Sequence, residues 1–94
     1  MRLLLLAALA SVCIAQNKPD PDKGNEVFDE QCAQCHNAYS EARKAGPGLK
    51  LLFVRLKESA VREKIDKGGK GMPAFKDSLS GSDKTDLIAY LQTL

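Results

Sequence analysis

The apolar positions along the chain fall into groups whose spacing predicts short helices and no strands. Near the C-terminus, Leu87, Ile88, Leu91 and Leu94 recur at helical intervals. That pattern predicts an amphipathic helix running to the end of the chain. Ser80 and Asp83 give it a capping-box-like start, because a hydroxyl there accepts an otherwise unpaired backbone N–H. Asp83 and Asp86 near the same end suit the positive pole of the helix dipole. Upstream, Val61 and Ile65 lie four apart and predict an inward-facing helix over 60–67, with Ser59 as its cap. Gly68-Gly69-Lys70-Gly71 ends it, since three glycines in four residues cost too much chain entropy for a helix to continue. Leu49, Leu51, Leu52, Phe53, Val54 and Leu56 make a strongly apolar stretch, expected to form a short helix or turn buried under a loop. That loop spans 37–48 and ends in Gly46-Pro47-Gly48. Val27, Phe28, Gln31 and Cys32 share one face of a first helix, expected to run to about Cys35. Asp20 or Asp22 can cap it, and Pro21 suits a first helical position because its missing N–H would be unpaired there anyway. There is no alternating β pattern and no internal repeat, so the fold class is all-α.

The apolar run at the other end reads differently. Met1-Arg2 is followed by 13 uncharged residues from Leu3 to Ala15. A bilayer-spanning helix takes about 20 residues, whereas this length suits the apolar region of a secretory signal. Cys13 and Ala15 supply the small residues a signal peptidase inspects. Residues 1–15 are therefore expected to be a signal peptide, with 16–22 an exposed polar lead-in and 23–94 one domain. Two alternatives are a buried N-terminal helix and a lipoprotein signal acylated at Cys13, although Val12 sits where such a signal wants a small residue. Export implies the bacterial periplasm, or a lipid anchor through Cys13.

Composition sharpens the problem. The chain has 94 residues, is 44% hydrophobic and 28% charged, and contains no Trp and only five aromatic side chains. These proportions exclude a disordered chain, a collagen or a membrane protein. A net charge of +2 does not point to nucleic acid. A domain below roughly 80 residues usually needs a disulfide, a metal or a large cofactor to complete its core. Without Cys13, only Cys32 and Cys35 remain, and a bridge across so small a loop would constrain little.

Those two cysteines lie in Cys32-Ala33-Gln34-Cys35-His36. Two thiols three apart on a helical turn project from nearly one face, and the adjacent imidazole points elsewhere. A porphyrin needs this arrangement: the thiols add across its two vinyl groups and the imidazole coordinates iron, which is the c-type haem attachment motif. Three rivals stand beside it. A structural zinc site needs four ligands, and the chain past the signal offers only Cys32, Cys35 and His36. A thioredoxin-like dithiol needs a βαβ context. The third is chance occurrence of a short motif. His36 is the only histidine, so a second imidazole cannot complete the iron. Met72, the only methionine after the signal, lies 36 residues further on in Gly71-Met72-Pro73. A glycine-rich loop is a poor place for core filler and a good way to hold a thioether over a flat cofactor, which makes Met72 the expected sixth ligand.

Gly24-x-x-x-Phe28, Cys32 to His36, Gly46-Pro47-Gly48-Leu49, Gly71-Met72-Pro73-Ala74-Phe75 and Leu87-Ile88-Ala89-Tyr90-Leu91 together resemble the small bacterial class I (monohaem) cytochromes c. The resemblance covers nearly the whole chain past the signal, in order. It implies three to five short helices wrapped around one covalently bound haem c. It further implies that Gly24 lets the first helix cross the last against Tyr90, that Phe28 packs near the haem, that the Pro47 carbonyl accepts from His36 Nδ1–H, and that Leu49 lines the pocket. Gly48 departs from the pattern, where a polar or bulkier residue is common, and implies a looser loop.

Iron held by His36 and Met72 keeps no open position, which disfavours oxygen or peroxide chemistry and suits outer-sphere electron transfer. The expectation is a one-electron carrier between redox partners, a monomer and not an enzyme, with no nucleic-acid partner and no stable membrane span. From Ala42 to Lys76 there are ten basic and three acidic residues, a balance of +7. Lys50, Lys57, Lys67, Lys70 and Lys76 can form a rim that meets an acidic patch on a partner, or they can be an ordinary solvated surface. The alternatives are a haem-based gas sensor in which Met72 is displaceable, and a metal-free thiol oxidoreductase. The haem itself is expected to act as the missing core.

Overall fold

Asp20 turns the chain into its first helix. Its carboxylate accepts from the N–H groups of Asp22 at 3.0 Å and Lys23 at 3.3 Å, and Pro21 occupies the position where no N–H is needed. The computed structural model describes residues 18–94; the signal-like segment, its cleavage point and Cys13 lie outside them. Among the described residues there are four helices: α1 (Pro21–Gln31), α2 (Leu52–Arg55), α3 (Glu58–Lys67) and α4 (Gly81–Leu91). No strand is present there, only isolated bridges between His36 and Arg43 and between Gly69 and Met72. The all-α expectation holds.

Helix α1 lies across α4, and Gly24 is the reason it can. A Cβ at Gly24 would run into the Asp86 carbonyl and the Cβ of Tyr90, so the two backbones approach more closely than any side chain allows. The crossing sets the Phe28 ring 5.5 Å from that of Tyr90, tilted at 51°, a favourable aromatic geometry. Val27, Phe28, Leu87, Ile88, Tyr90 and Leu91 form the buried seam, joined by Leu49, Leu52, Val61, Ile65, Phe75 and Leu79. Asp86 is buried in this seam and accepts the Asp20 N–H at 2.9 Å. Its carboxylate ties the cap of one helix to the middle of the other, rather than serving the α4 dipole as expected. Tyr90 donates to the Tyr39 hydroxyl at 2.9 Å, and burial pushes its phenol well above the ordinary range, with Tyr39 adding to the effect.

Three boundaries and the burial of one stretch differ from the sequence reading. Helix α4 ends at Leu91 rather than at the end of the chain, because the Thr93 and Leu94 N–H groups fold back three residues, to Tyr90 at 2.9 Å and Leu91 at 3.1 Å. Helix α1 stops at Gln31, four residues early, because the Cys32 and Ala33 N–H groups both donate to the Phe28 carbonyl at 2.8 Å and close the last turn. Helix α3 begins at Glu58, with Lys57 at the cap and no side-chain bond there. Ser59 lies inside the first turn, and Glu58 faces Arg62 at 2.9 Å instead. The 51–56 stretch is not buried as a block. Leu52 is buried, but Leu51, Val54 and Leu56 are exposed, at 48%, 78% and 47%, because a single turn of helix offers the core only one side. Helix α4 starts as expected, with the Ser80 hydroxyl accepting from Asp83 N–H at 3.0 Å. Lys84 joins it to α3 through Asp66 at 2.9 Å.

The close crossing makes a direct prediction. Gly24→Val should cost roughly 3 kcal/mol, the upper range for overpacking, and lower the thermal midpoint by at least about 10 °C for a domain this small. Gly81→Ala, where a Cβ meets nothing within 4 Å, should leave the midpoint unchanged or raise it. Equal effects of the two in thermal unfolding would remove the role given to Gly24.

Candidate haem site

Helix α1 ends where the chemistry begins. Beyond its Cys32 cap, the N–H groups of Cys35 and His36 both return to the Cys32 carbonyl at 3.0 Å. Cys32, Cys35 and His36 therefore share one turn, half-buried, with both thiols free and Cys32 packed on the core. Burial pushes the Cys32 thiol up to about 11, with Cys35 beside it adding to the shift. A thiol that stays protonated at neutral pH is a poor nucleophile, which weighs against the thiol oxidoreductase reading.

The His36 ring is set from two sides. Its Nδ1–H donates to the Pro47 carbonyl at 2.7 Å, so the proton is on Nδ1 and the Nε2 lone pair is left for a metal. The ring also lies against Gly46, where a Cβ would collide with Cε1, Nδ1 and Nε2. The strap that supplies both contacts, residues 46–49, is anchored by Gly46 N–H to the Cys35 carbonyl at 2.7 Å and by Leu49 N–H to the Asn37 carbonyl at 2.8 Å. The Asn37 side chain donates in turn to Ala42 at 2.8 Å. Gly48 does not loosen this loop. It is buried against the backbone of Ser40 and Glu41, where no Cβ fits, and its bare backbone lets the two arms of the loop touch.

Met72 arrives on a separate device. Gly69 and Met72 exchange backbone hydrogen bonds at 2.9 and 3.1 Å across a two-residue turn whose corners, Lys70 and Gly71, both have positive φ, 51° and 93°. Two left-handed corners are what a type I′ turn requires. The turn leaves Met72 half-buried against the same core that Cys32 touches.

Of the residues expected from the sequence, Cys32, Cys35, His36 and Pro47 come together in one turn-and-strap unit. Leu49 continues the strap into the core, and Phe28 lies one helical turn before Cys32, also in the core. Met72 reaches that core from the far loop. Sequence reasoning missed Asn37, whose place directly after His36 in a loop is a turn signal, and Tyr39, for which no local pattern speaks. Two thiols on one turn, an imidazole with Nε2 available and a half-buried thioether on another loop fit an iron porphyrin held by thioethers. They do not fit zinc, which takes four ligands. Among the described residues no group of three His, Cys, Asp or Glu side chains converges as a metal cage.

Comparison with known proteins agrees. The family model described as cytochrome c oxidase, cbb3-type, subunit III matches residues 19–91. Cytochrome c6 of Synechocystis is 32% identical over 93 residues, covering 95% of this chain and 78% of its own length. Cytochrome c-550 of Bacillus subtilis is 32% identical over 75 residues, 80% of this chain and 59% of its own. The structure of cytochrome c6 from the diatom Phaeodactylum tricornutum shares the fold, with a TM-score of 0.64 at 23% identity over 79% of this chain and 92% of that one. With this coverage and this donor set, the chain belongs to the cytochrome c family that the matching model represents: it is a small monohaem class I cytochrome c with a covalently bound haem.

Proposed function

We propose that this cytochrome is a one-electron carrier in which Cys32 and Cys35 hold haem c through two thioethers. His36 Nε2 and the Met72 sulfur would ligate the iron, and Phe28, Pro47 and Leu49 would shape the pocket. The 2.7 Å bond from His36 Nδ1–H to the Pro47 carbonyl supports this reading most directly. It commits the ring to the tautomer that can ligate, beside the two thiols the motif requires. The haem supplies an Fe(II)/Fe(III) couple that changes charge without making or breaking a bond. The protein's part is to hold that couple still. The Pro47 carbonyl makes the imidazole more electron-rich, the soft thioether of Met72 favours Fe(II) and raises the potential, and apolar walls disfavour the extra positive charge of the ferric form. A carrier of this kind is not an enzyme.

Its partners are redox proteins. Lys50, Lys57, Lys70 and Lys76 are exposed and can form a positive rim toward an acidic docking patch. Lys67 is engaged by Glu63 at 3.1 Å and contributes less. No described helix is long and apolar enough to cross a membrane. We place the carrier outside the cytoplasm as a monomer, in the periplasm after cleavage behind Ala15; the expected lead-in over 16–22 is shorter than read, because the haem domain starts at the Asp20 cap of α1, which is tied to Asp86. Anchoring through Cys13 is the alternative. The competing function, a gas sensor, needs Met72 to leave the iron readily.

Ferrous protein mixed with CO at neutral pH should show no rapid binding, whereas Met72→Ala should bind CO at once. Rapid binding by the unaltered protein would favour the sensor. Lys70→Glu combined with Lys76→Glu should slow reduction of ferricyanide, an anionic oxidant, on the order of 10-fold at low ionic strength. A rate with unchanged salt dependence would end the docking role.

A further inference from the structure

The strap that holds the His36 ring, residues 46–49, has a weak point. Pro47 fixes its own φ, but the direction of its carbonyl depends on how the Pro47–Gly48 peptide plane is rotated, and Gly48 on one side of it tolerates almost any rotation. The plane before it, between Gly46 and Pro47, has no N–H to offer, and its carbonyl accepts from Lys44 N–H at 2.9 Å. The plane after it, between Gly48 and Leu49, is held at both ends. Its N–H reaches the Asn37 carbonyl at 2.8 Å, and its carbonyl accepts from the Arg55 guanidinium at 3.2 Å. The same terminal nitrogen of Arg55 also donates to the Lys50 carbonyl at 3.2 Å. Arg55 is the last residue of α2, and that turn is fixed in its own right: Leu51 N–H donates to the Leu94 carbonyl at 2.9 Å, with Leu51 in a left-handed conformation (φ 57°).

We infer that Arg55 is a positioning residue for His36: by clamping the Gly48 and Lys50 carbonyls it fixes the rotation of the strap and so aims the Pro47 carbonyl at His36 Nδ1. This rests on the reading of His36 as an iron ligand and deepens it. The hydrogen bonds of the Arg55 side chain go to the Gly48 and Lys50 carbonyls and not to the imidazole. Arg55 acts through the backbone, and a guanidinium suits the task because one terminal nitrogen carries two N–H donors at fixed angles, one for each carbonyl. A lysine in its place would keep the charge without those fixed angles.

The test is hydrogen exchange on ¹⁵N-labelled ferrous holoprotein, following the His36 Nδ1–H resonance beside the backbone amides of α1 and α4. In Arg55→Met the Nδ1–H should exchange at least about 10-fold faster, since one of the two anchors on the neighbouring plane is gone. In Arg55→Lys the rate should fall between, and in both variants the amides of α1 and α4 should keep their protection within about twofold. An unchanged Nδ1–H rate in Arg55→Met would overturn the inference. A parallel loss of protection throughout α1 and α4 would do so as well, by making Arg55 a general structural residue. If instead the unaltered protein shows no haem ring-current shift of the His36 ring protons, it is the ligand reading that fails, and the two failures are distinguishable.

Discussion

One omitted side chain sets the geometry on which the rest depends. Because Gly24 has no Cβ, α1 lies directly on the backbone of α4 at Asp86 and Tyr90, and that crossing decides where α1 ends relative to the core. Phe28 is packed on Tyr90 by the contact. One turn later the chain leaves the helix at Cys32, on the edge of the same core. The attachment turn is thus positioned by a helix crossing that itself contains no ligand. The buried carboxylate of Asp86 reinforces it by holding the N–H of the α1 cap.

The chemistry is carried by loops, and the loops are made rigid by means that differ from one side to the other. On the histidine side, the strap over 46–49 is held by hydrogen bonds to Cys35 and Asn37 and by tight backbone contacts at Gly46 and Gly48. On the methionine side, a type I′ turn with Lys70 in a left-handed corner holds Met72 by two backbone hydrogen bonds, Gly68 packs tightly on the backbone of Met72 and Pro73, and Phe75 N–H ties the following residues to Ile65 at 2.8 Å.

Much of this was legible in the chain because it rests on local chemistry. The Ser80 cap, the inward pair Val61 and Ile65 and the glycine stop after Lys67 each follow from neighbouring residues, and each appears as read. What escaped was set by partners distant in sequence. Asp86 looked like a dipole residue, since its hydrogen bond to Asp20 spans 66 positions. The helix end at Cys32 depends on two N–H groups competing for one carbonyl, which residue type does not encode. Gly48 looked permissive because the backbone of Ser40 and Glu41, which fills its missing side chain's place, is invisible in a linear pattern. The exposed Leu51, Val54 and Leu56 show the limit of hydrophobicity alone, because a four-residue helix cannot turn every apolar side chain inward.

The covalent iron porphyrin is the claim most exposed to a single measurement. A pyridine haemochrome spectrum of protein made in a host equipped for c-type haem attachment reports both that haem is present and how many of its vinyl groups have become thioethers. The expected result is one haem per chain with both vinyls converted, matching the two thiols of Cys32 and Cys35. Colourless protein, or haem that is extracted by acid with its vinyls intact, would contradict it.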